Sequence, residues 1–421
     1  MKRPRPPVER RLTPSEWFDW LAGKDFPNQF ATTARVRGTA DPAGLRRALD
    51  AVSARHPLLR TRIRPRPFPL VPVYRTAGVP PLPLRIVEHA GEHDWVREVE
   101  TELQQPFPAG GPLVRFVLLR RHDAFDLIMT GEHVLADATS YVYLLRDLLE
   151  VLGAPNRPVP VLDTPPAWGL VASPGDQPGA PPVEPTGWNR TGPPSECLSV
   201  LHRVWDESLT EALIRRCRAE RTTVHAALAT AVLRALARFE EGHPIRRLSS
   251  PVNVRRRLPE LFSQGFGSYI GPSITVAVDT SAGQDFWSAA RAFKTELTAR
   301  NSPAAFRASA RILRLLYRLP GPLGRIATRR WIADEYDVWL TNLTRLPIPA
   351  EYPTGTLEAL HLAVHTGGPR RRVVGVAEVD GRMCLTVVSS SGSLMEKVLD
   401  EVEADLEQRL LPGTATVAPK E

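Results

Sequence analysis

The chain reads as an α/β protein built from two lobes of similar construction, and three observations carry that expectation. Each half alternates strand-like and helix-like runs of the lengths that layered α/β folds use. Between the halves, residues 154–196 are crowded with Pro, with Gly and polar residues among them. Such a stretch cannot sustain regular structure and suits a linker or a surface crossing. Finally, Gly131-Glu132-His133-Val134-Leu135-Ala136-Asp137-Ala138-Thr139-Ser140 follows an apolar strand-like run and precedes a helix-like one. A His and an Asp four residues apart at such a corner can face a cleft while rigid elements hold their backbone.

The organisation that follows is a first lobe over 1–153, a linker over 154–196 and a second lobe over 197–421, in which a segment around 333–372 can cross back to the first lobe. Thr13 and Glu16 have capping-box spacing, and Pro14 suits the first helical position, so a helix begins there. Residues 30–37 alternate as a strand. Leu45, Ala48, Leu49 and Val52 define one face of a helix over 43–55, which His56-Pro57 stops. Residues 58–63 read as the next strand. The prolines of 65–83 leave a loop with some extended pairing, before a short strand at 84–88 and a helix at 95–105. After the hard turn at 106–112, strands at 113–119 and 125–130 are joined by a short turn and lead into the corner. The second lobe reads as a strand at 198–204, helices at 207–220 and 222–239, and a strand at 248–253. A Gly-punctuated stretch at 265–271 precedes a strand at 274–278 and a helix at 286–300. Strands at 339–343, 360–365, 372–379 and 383–388 lead to a closing helix at 393–410.

Composition narrows the function classes. With 421 residues, 43% of them apolar, the chain can bury substantial cores. The net charge of +8 is Arg-rich and spread along the chain. That suits a GC-rich genome, or a negatively charged partner such as a coenzyme A phosphate or an acidic carrier protein. No aromatic-interleaved basic motif, helix-turn-helix or zinc pattern accompanies it, so no nucleic-acid partner is expected. No apolar stretch approaches ~18 residues, so no membrane span is expected, and the basic N-terminus lacks the apolar core of a signal peptide. Cys197, Cys217 and Cys384 are odd in number and far apart, which argues against a disulfide framework or a zinc site. A cytoplasmic monomer without a bound metal is the expectation. His225, His361 and His365 have no spacing that compels metal binding.

Glu132-His133-Val134-Leu135-Ala136-Asp137-Ala138 resembles the His-His-x-x-x-Asp-Gly motif of the condensation-domain superfamily, which includes chloramphenicol acetyltransferase, peptide-synthetase condensation domains and polyketide-associated acyltransferases. Further segments match in order: Arg55-His56-Pro57-Leu58-Leu59-Arg60, Gly111-Pro112-Leu113-Val114-Arg115, Pro251-Val252-Asn253-Val254-Arg255 with Pro259-Glu260-Leu261, and the stretch at 267–274. Leu340-Thr341-Asn342-Leu343 and the terminal strand and helix complete the set. The resemblance implies two chloramphenicol-acetyltransferase-like α/β-sandwich lobes forming a V with a tunnel at their interface. It implies an acyltransferase that uses an acyl-CoA or phosphopantetheinyl carrier thioester as co-substrate, with no bound cofactor, and a small alcohol or amine as acceptor. Two rivals share the fold: a stand-alone condensation enzyme acting on carrier-bound substrates in non-ribosomal peptide synthesis, and a degenerate, non-catalytic carrier-binding member.

By the same resemblance His133 is the catalytic residue, suited to general-base work because a neutral imidazole can take a proton near pH 7. Asp137 shapes the site and pairs with an Arg from the second half, by position Arg255, with Arg256 and Arg257 as neighbours. Read from the residues alone, Asp137 is also a helix N-cap and Arg255 a solvated member of an Arg run. Ser140 suits N-capping or packing. Asn342 could contact substrate or satisfy backbone groups. Glu132 departs from the motif: its carboxylate could raise the pKa of His133, point away along the strand, or meet a cationic acceptor. Ala138 replaces Gly and could narrow the space beside His133.

Overall fold

The computed structural model describes residues 9–25, 27–67, 70–108, 110–154, 160, 162, 198–242, 244–258, 264–281, 283–319, 321–332, 336–343, 348–367 and 371–410. Nearly all of the expected linker lies outside the described residues, as do Cys197 and Pro259-Glu260-Leu261. The first half comprises β1 (Glu9–Arg11), α1 (Pro14–Asp25), β2 (Gln29–Gly38), α2 (Pro42–Arg55), β3 (Arg62–Pro67), β4 (Leu70–Arg75) and β5 (Leu84–Val87). It continues with α3 (Asp94–Gln104), β6 (Val114–Arg120), β7 (Ala124–Glu132) and α4 (Ala138–Gly153). The second half begins with β8 (Ser199–Trp205), α5 (Glu207–Ala219), α6 (Val224–Phe239), β9 (Ile245–Asn253), β10 (Ile270–Asp279) and α7 (Phe286–Arg300). It then runs through α8 (Pro303–Tyr317), α9 (Gly321–Ile332), β11 (Val338–Leu343), β12 (Glu351–Tyr352), β13 (Gly355–Val364), β14 (Val373–Val379), β15 (Arg382–Ser389) and α10 (Gly392–Leu410).

Local chemistry accounts for many boundaries. At α1 the Thr13 N–H donates to Glu16 Oε2 at 2.7 Å and the Glu16 N–H to Thr13 Oγ1 at 3.3 Å, the reciprocal bonds of a capping box. Asp41, Asp206 and Thr223 cap α2, α5 and α6 with side-chain oxygens. One expected element needs correction. Residues 58–60 are not strand: Pro57–Arg60 is a single 3₁₀ turn, because Pro57 fixes a helical φ and the Thr61 N–H donates back to the Leu58 carbonyl. The extended pairing expected within the Pro-rich 65–83 is that of β3 with β4, which join β1 in a three-stranded sheet ordered β1-β4-β3. Residues between 300 and 339, given no element from sequence, hold α8 and α9.

Each lobe is centred on a six-stranded sheet, ordered β12-β13-β2-β7-β6-β5 in the first and β10-β9-β11-β14-β15-β8 in the second. β13 comes from the second half of the sequence but pairs antiparallel with β2 from Gly355–Gly38 to Val364–Phe30. The first core gathers side chains of α1, α2 and α4, such as Trp17, Leu49 and Leu148, against Val36 and Phe116 of the sheet. The second core packs Leu228 and Val232 of α6 and Val398 and Val402 of α10 against Val376 and Leu385. A third cluster ties the lobes: Trp95, Val99 and Leu103 of α3 meet Ala31, Val200, Ala363 and Val388. Where β13 crosses β14, a Cβ on Gly375 would lie 2.2 Å from the Leu362 carbonyl oxygen, so only glycine permits the backbones to approach this closely.

Candidate active site

β7 sits between β2 and β6, and Phe125 through Glu132 are buried along its length. Two-sided burial explains the continuous apolar run that marked it in the sequence. At its end the Glu132 N–H donates to Leu113 O at 3.0 Å and the His133 N–H to Asn28 O at 2.9 Å, fixing the corner to both neighbours. The Tyr74 hydroxyl donates to the Val134 carbonyl. A Cβ on Gly131 would fall 1.6 Å from the Tyr141 hydroxyl oxygen, so this glycine makes room for α4 to fold back on the strand.

Asp137 is the N-cap of α4, and its Oδ1 accepts the Ser140 N–H at 2.8 Å. Its Oδ2 accepts from Arg255 Nη1 at 2.7 Å and from the Tyr269 N–H at 2.7 Å. The other Arg255 amino group donates to Ser140 Oγ at 2.6 Å and to Gly265 O at 3.2 Å, and the guanidinium lies 4.4 Å from the centre of the Tyr269 ring. Ser140 Oγ donates to Gly267 O at 2.7 Å and accepts the Gly267 N–H at 3.1 Å. Asn253 adds a further bridge, from Nδ2 to Thr139 Oγ1 at 3.1 Å. The start of α4 is thus bolted to β9 and to the Gly-punctuated stretch before β10, and both ions of the Asp137–Arg255 pair are buried.

His133 stands one residue beyond β7 with its ring 4.7 Å from that of Phe30. Burial holds the imidazole pKa down to about 4, against the smaller opposing pull of the Asp137 charge. At neutral pH the ring is uncharged. Neither ring nitrogen has a hydrogen-bond partner among the described residues, and the side chain stays only partly covered. A neutral imidazole with a free lone pair can accept a proton from a group brought within reach.

His133, Asp137, Ser140 and Arg255 therefore come together at one junction. Ala138 is the first residue of α4, half-buried beside the first core. Asn342 lies outside that network, half-buried on β11 opposite Val376 of β14. Arg256 and Arg257 flank Arg255, and Arg257 donates instead to Asn301. Glu132 is buried, with Oε2 3.9 Å from where a Cβ on Gly23 of α1 would be. Its charge helps raise the Tyr141 pKa, after burial, whereas the charge acting on His133 is that of Asp137. Among the described residues no group of His, Cys, Asp and Glu is arranged to hold a metal. His225 bonds Ser250 and His361 bonds Thr386, each in a packed setting.

Two contributors had no sequence signal. Tyr269 supplies both a backbone donor and a ring to the Asp137–Arg255 pair, a role that depends on the path of the chain across the lobes. Asp19 of α1 accepts the Asn28 side chain at its carbonyl, and Asn28 in turn anchors His133. Burial, with Glu16 nearby, pushes the Asp19 carboxyl up to about 8. In the sequence it was one more polar residue of the first helix.

Comparison with known proteins agrees with this architecture. Polyketide synthase associated protein 5 from Mycobacterium tuberculosis superposes with a TM-score of 0.68 at 16% identity, covering 96% of this chain and 98% of that one. The first condensation domain of the calcium-dependent antibiotic synthetase, in complex with a substrate analogue, gives 0.69 at 18% identity, over 98% and 100%. A trichothecene 15-O-acetyltransferase from Fusarium sporotrichioides gives 0.65 at 12%, over 94% and 95%. Chondramide synthase of Chondromyces crocatus is 29% identical over 167 residues, 38% of this chain but only 4% of that protein. The likeness to these structures, each under 25% identical, shows the fold: two chloramphenicol-acetyltransferase-like lobes. Residues 195–387, a little under half of the chain, match the model of the phthiocerol/phthiodiolone dimycocerosyl transferase C-terminus.

Proposed function

We propose that this protein transfers an acyl group from a coenzyme A or carrier-protein thioester to a hydroxyl or amine, with His133 as general base. The observation that carries the reading is the division of labour at the corner. His133 is neutral with unpartnered ring nitrogens, while both Asp137 oxygens are occupied by Ser140, Arg255 and Tyr269. In this reading Asp137 holds the junction and takes no proton. The acceptor O–H or N–H would give its proton to His133 as the oxygen or nitrogen attacks the thioester carbonyl. Collapse of the tetrahedral intermediate would expel the thiolate, which recovers the proton from the imidazolium. Backbone N–H groups would hold the oxyanion.

Glu132 and Ala138 motivate the rival of a carrier-binding protein without catalysis, but the neutral, unpartnered imidazole favours an active site. The expected result for His133→Ala, assayed with acyl-CoA and with acylated carrier proteins, is a fall in kcat of about 10²–10⁴. Undiminished turnover would remove His133 from the mechanism. Turnover with two loaded carriers but none with coenzyme A thioesters would favour the condensation reading. Wild-type activity should persist well below pH 6.5 and fail only near the depressed His133 pKa of about 4.

A further inference from the structure

α8 and α9 take no part in the chemistry above, yet their outer surface has an uncommon composition. Residues 303–332 contain seven arginines and no Asp, Glu or Lys. α8 turns Ala310, Leu313 and Tyr317 inward, and α9 sets Gly324 close against Trp17 of α1. A helix that merely covers a core is polar on its other side. Here Ile312 and Leu315, one turn apart on α8, are 43% and 63% exposed, and Leu323 and Ile326, one turn apart on α9, are 53% and 56% exposed. Half of the eight exposed large hydrophobic side chains among the described residues thus fall on this pair of helices, a clustering that single scattered surface residues do not show. Arg307 and Arg311 of α8, Arg318 at its C-cap and Arg330 of α9 are exposed, and none has a carboxylate partner among the described residues.

We propose that this face docks the protein onto an anionic lipid surface, independently of the acyl-transfer reading. The aliphatic side chains would enter the boundary between headgroups and acyl chains, while the guanidinium groups meet lipid phosphates. The arginine stems can lie along the apolar surface with their charges at headgroup level. A docking site for one folded protein sets its register with complementary charges of both signs. Arg325 and Arg329 of α9 are paired with Asp25 of α1, but the four arginines without a carboxylate partner leave net positive charge around exposed aliphatics, which suits a laterally fluid surface of the opposite sign. Among the described residues no helix is long and apolar enough to cross a membrane, so the contact is peripheral.

The test is co-sedimentation of the purified full chain with vesicles of phosphatidylcholine alone and with phosphatidylglycerol added, at low and high salt. Recovery with the anionic vesicles, lost on raising the salt, is the expected result. Leu315→Glu with Ile326→Glu should abolish it, and Arg311→Gln with Arg318→Gln should weaken it by about fivefold per arginine. All four side chains are exposed, so circular dichroism and melting should match wild type, which separates lost docking from lost folding. Equal recovery on neutral vesicles, or binding indifferent to both variants, overturns the proposal. Capture of an acidic carrier protein by this face with no vesicle binding overturns it in favour of a protein partner.

Discussion

Asp137 and Arg255 are 118 positions apart in sequence, yet the Arg255 guanidinium donates both to Asp137 and to Ser140 on the first turn of the helix that Asp137 caps. Buried pairs of this kind are costly to break because the surviving ion keeps its desolvation penalty. Arg255→Met should therefore lower the unfolding free energy by about 3–5 kcal/mol in a urea titration. Adding Asp137→Asn should recover much of the loss, since Asn remains a good N-cap and carries no charge to strand. A single variant as stable as wild type would mean that the pair does not hold the junction. At this scale the sequence was most informative where one residue type has one suitable chemistry. His133 and Asp137 were legible as a pair, but which of them is braced and which is left free depends on Arg255, Ser140 and Tyr269 arriving from elsewhere.

The elements divide by how local their signals are. α1, α2, α5 and α6 begin at caps, Thr13, Asp41, Asp206 and Thr223, which lie next to the helices they start. β7 was legible because burial on both faces leaves an uninterrupted apolar run. α8 and α9 received no element, although α8 starts at a local signal of the same kind, the Ser302 cap followed by Pro303, and buries Ala310, Leu313 and Tyr317 at helical spacing. Glycine at 375 belongs to this scale as well, since its demand comes from another strand. Gly375→Ala places a methyl group against the Leu362 carbonyl, an atom that cannot rotate away. A loss of about 1–3 kcal/mol is expected, as for other overpacked sites, together with faster hydrogen exchange in β13 and β14. Wild-type stability would show that the two strands can separate freely.

Over the whole molecule, burial sets opposing proton linkages. His133, His202 and His225 are each held down to about 4 by burial, and His361 is lowered as well. Between about pH 4 and 6.5 the unfolded chain binds more protons at these groups, so their contribution is complete above 6.5 and is lost as pH falls. Asp19 acts in the opposite sense: with its pKa at about 8, the folded chain keeps a proton that the unfolded chain releases near 4. Its contribution is complete at low pH and declines until pH 8. Asp126 is raised in the same direction. The melting temperature should accordingly climb from about pH 4.5 to 6.5 and then decline gently towards pH 8. Asp19→Asn should flatten the upper limb and leave the lower one in place. An unchanged decline in that variant would assign the upper limb to other groups.

Caps, breakers and apolar periods act over a few residues, so the sequence by itself determined most of the strands and helices, the α/β class and the His-x-x-x-Asp corner. Which distant segments meet is a property of the packed chain. Only the tertiary structure decided that β13 lies beside β2, which of three neighbouring arginines closes on Asp137, that Tyr269 joins them, and that Glu132 turns its charge on Tyr141 while His133 stays neutral. The physical reason is desolvation: a side chain's charge and partners depend on what surrounds it after folding, and those surroundings are assembled from residues a hundred or more positions away.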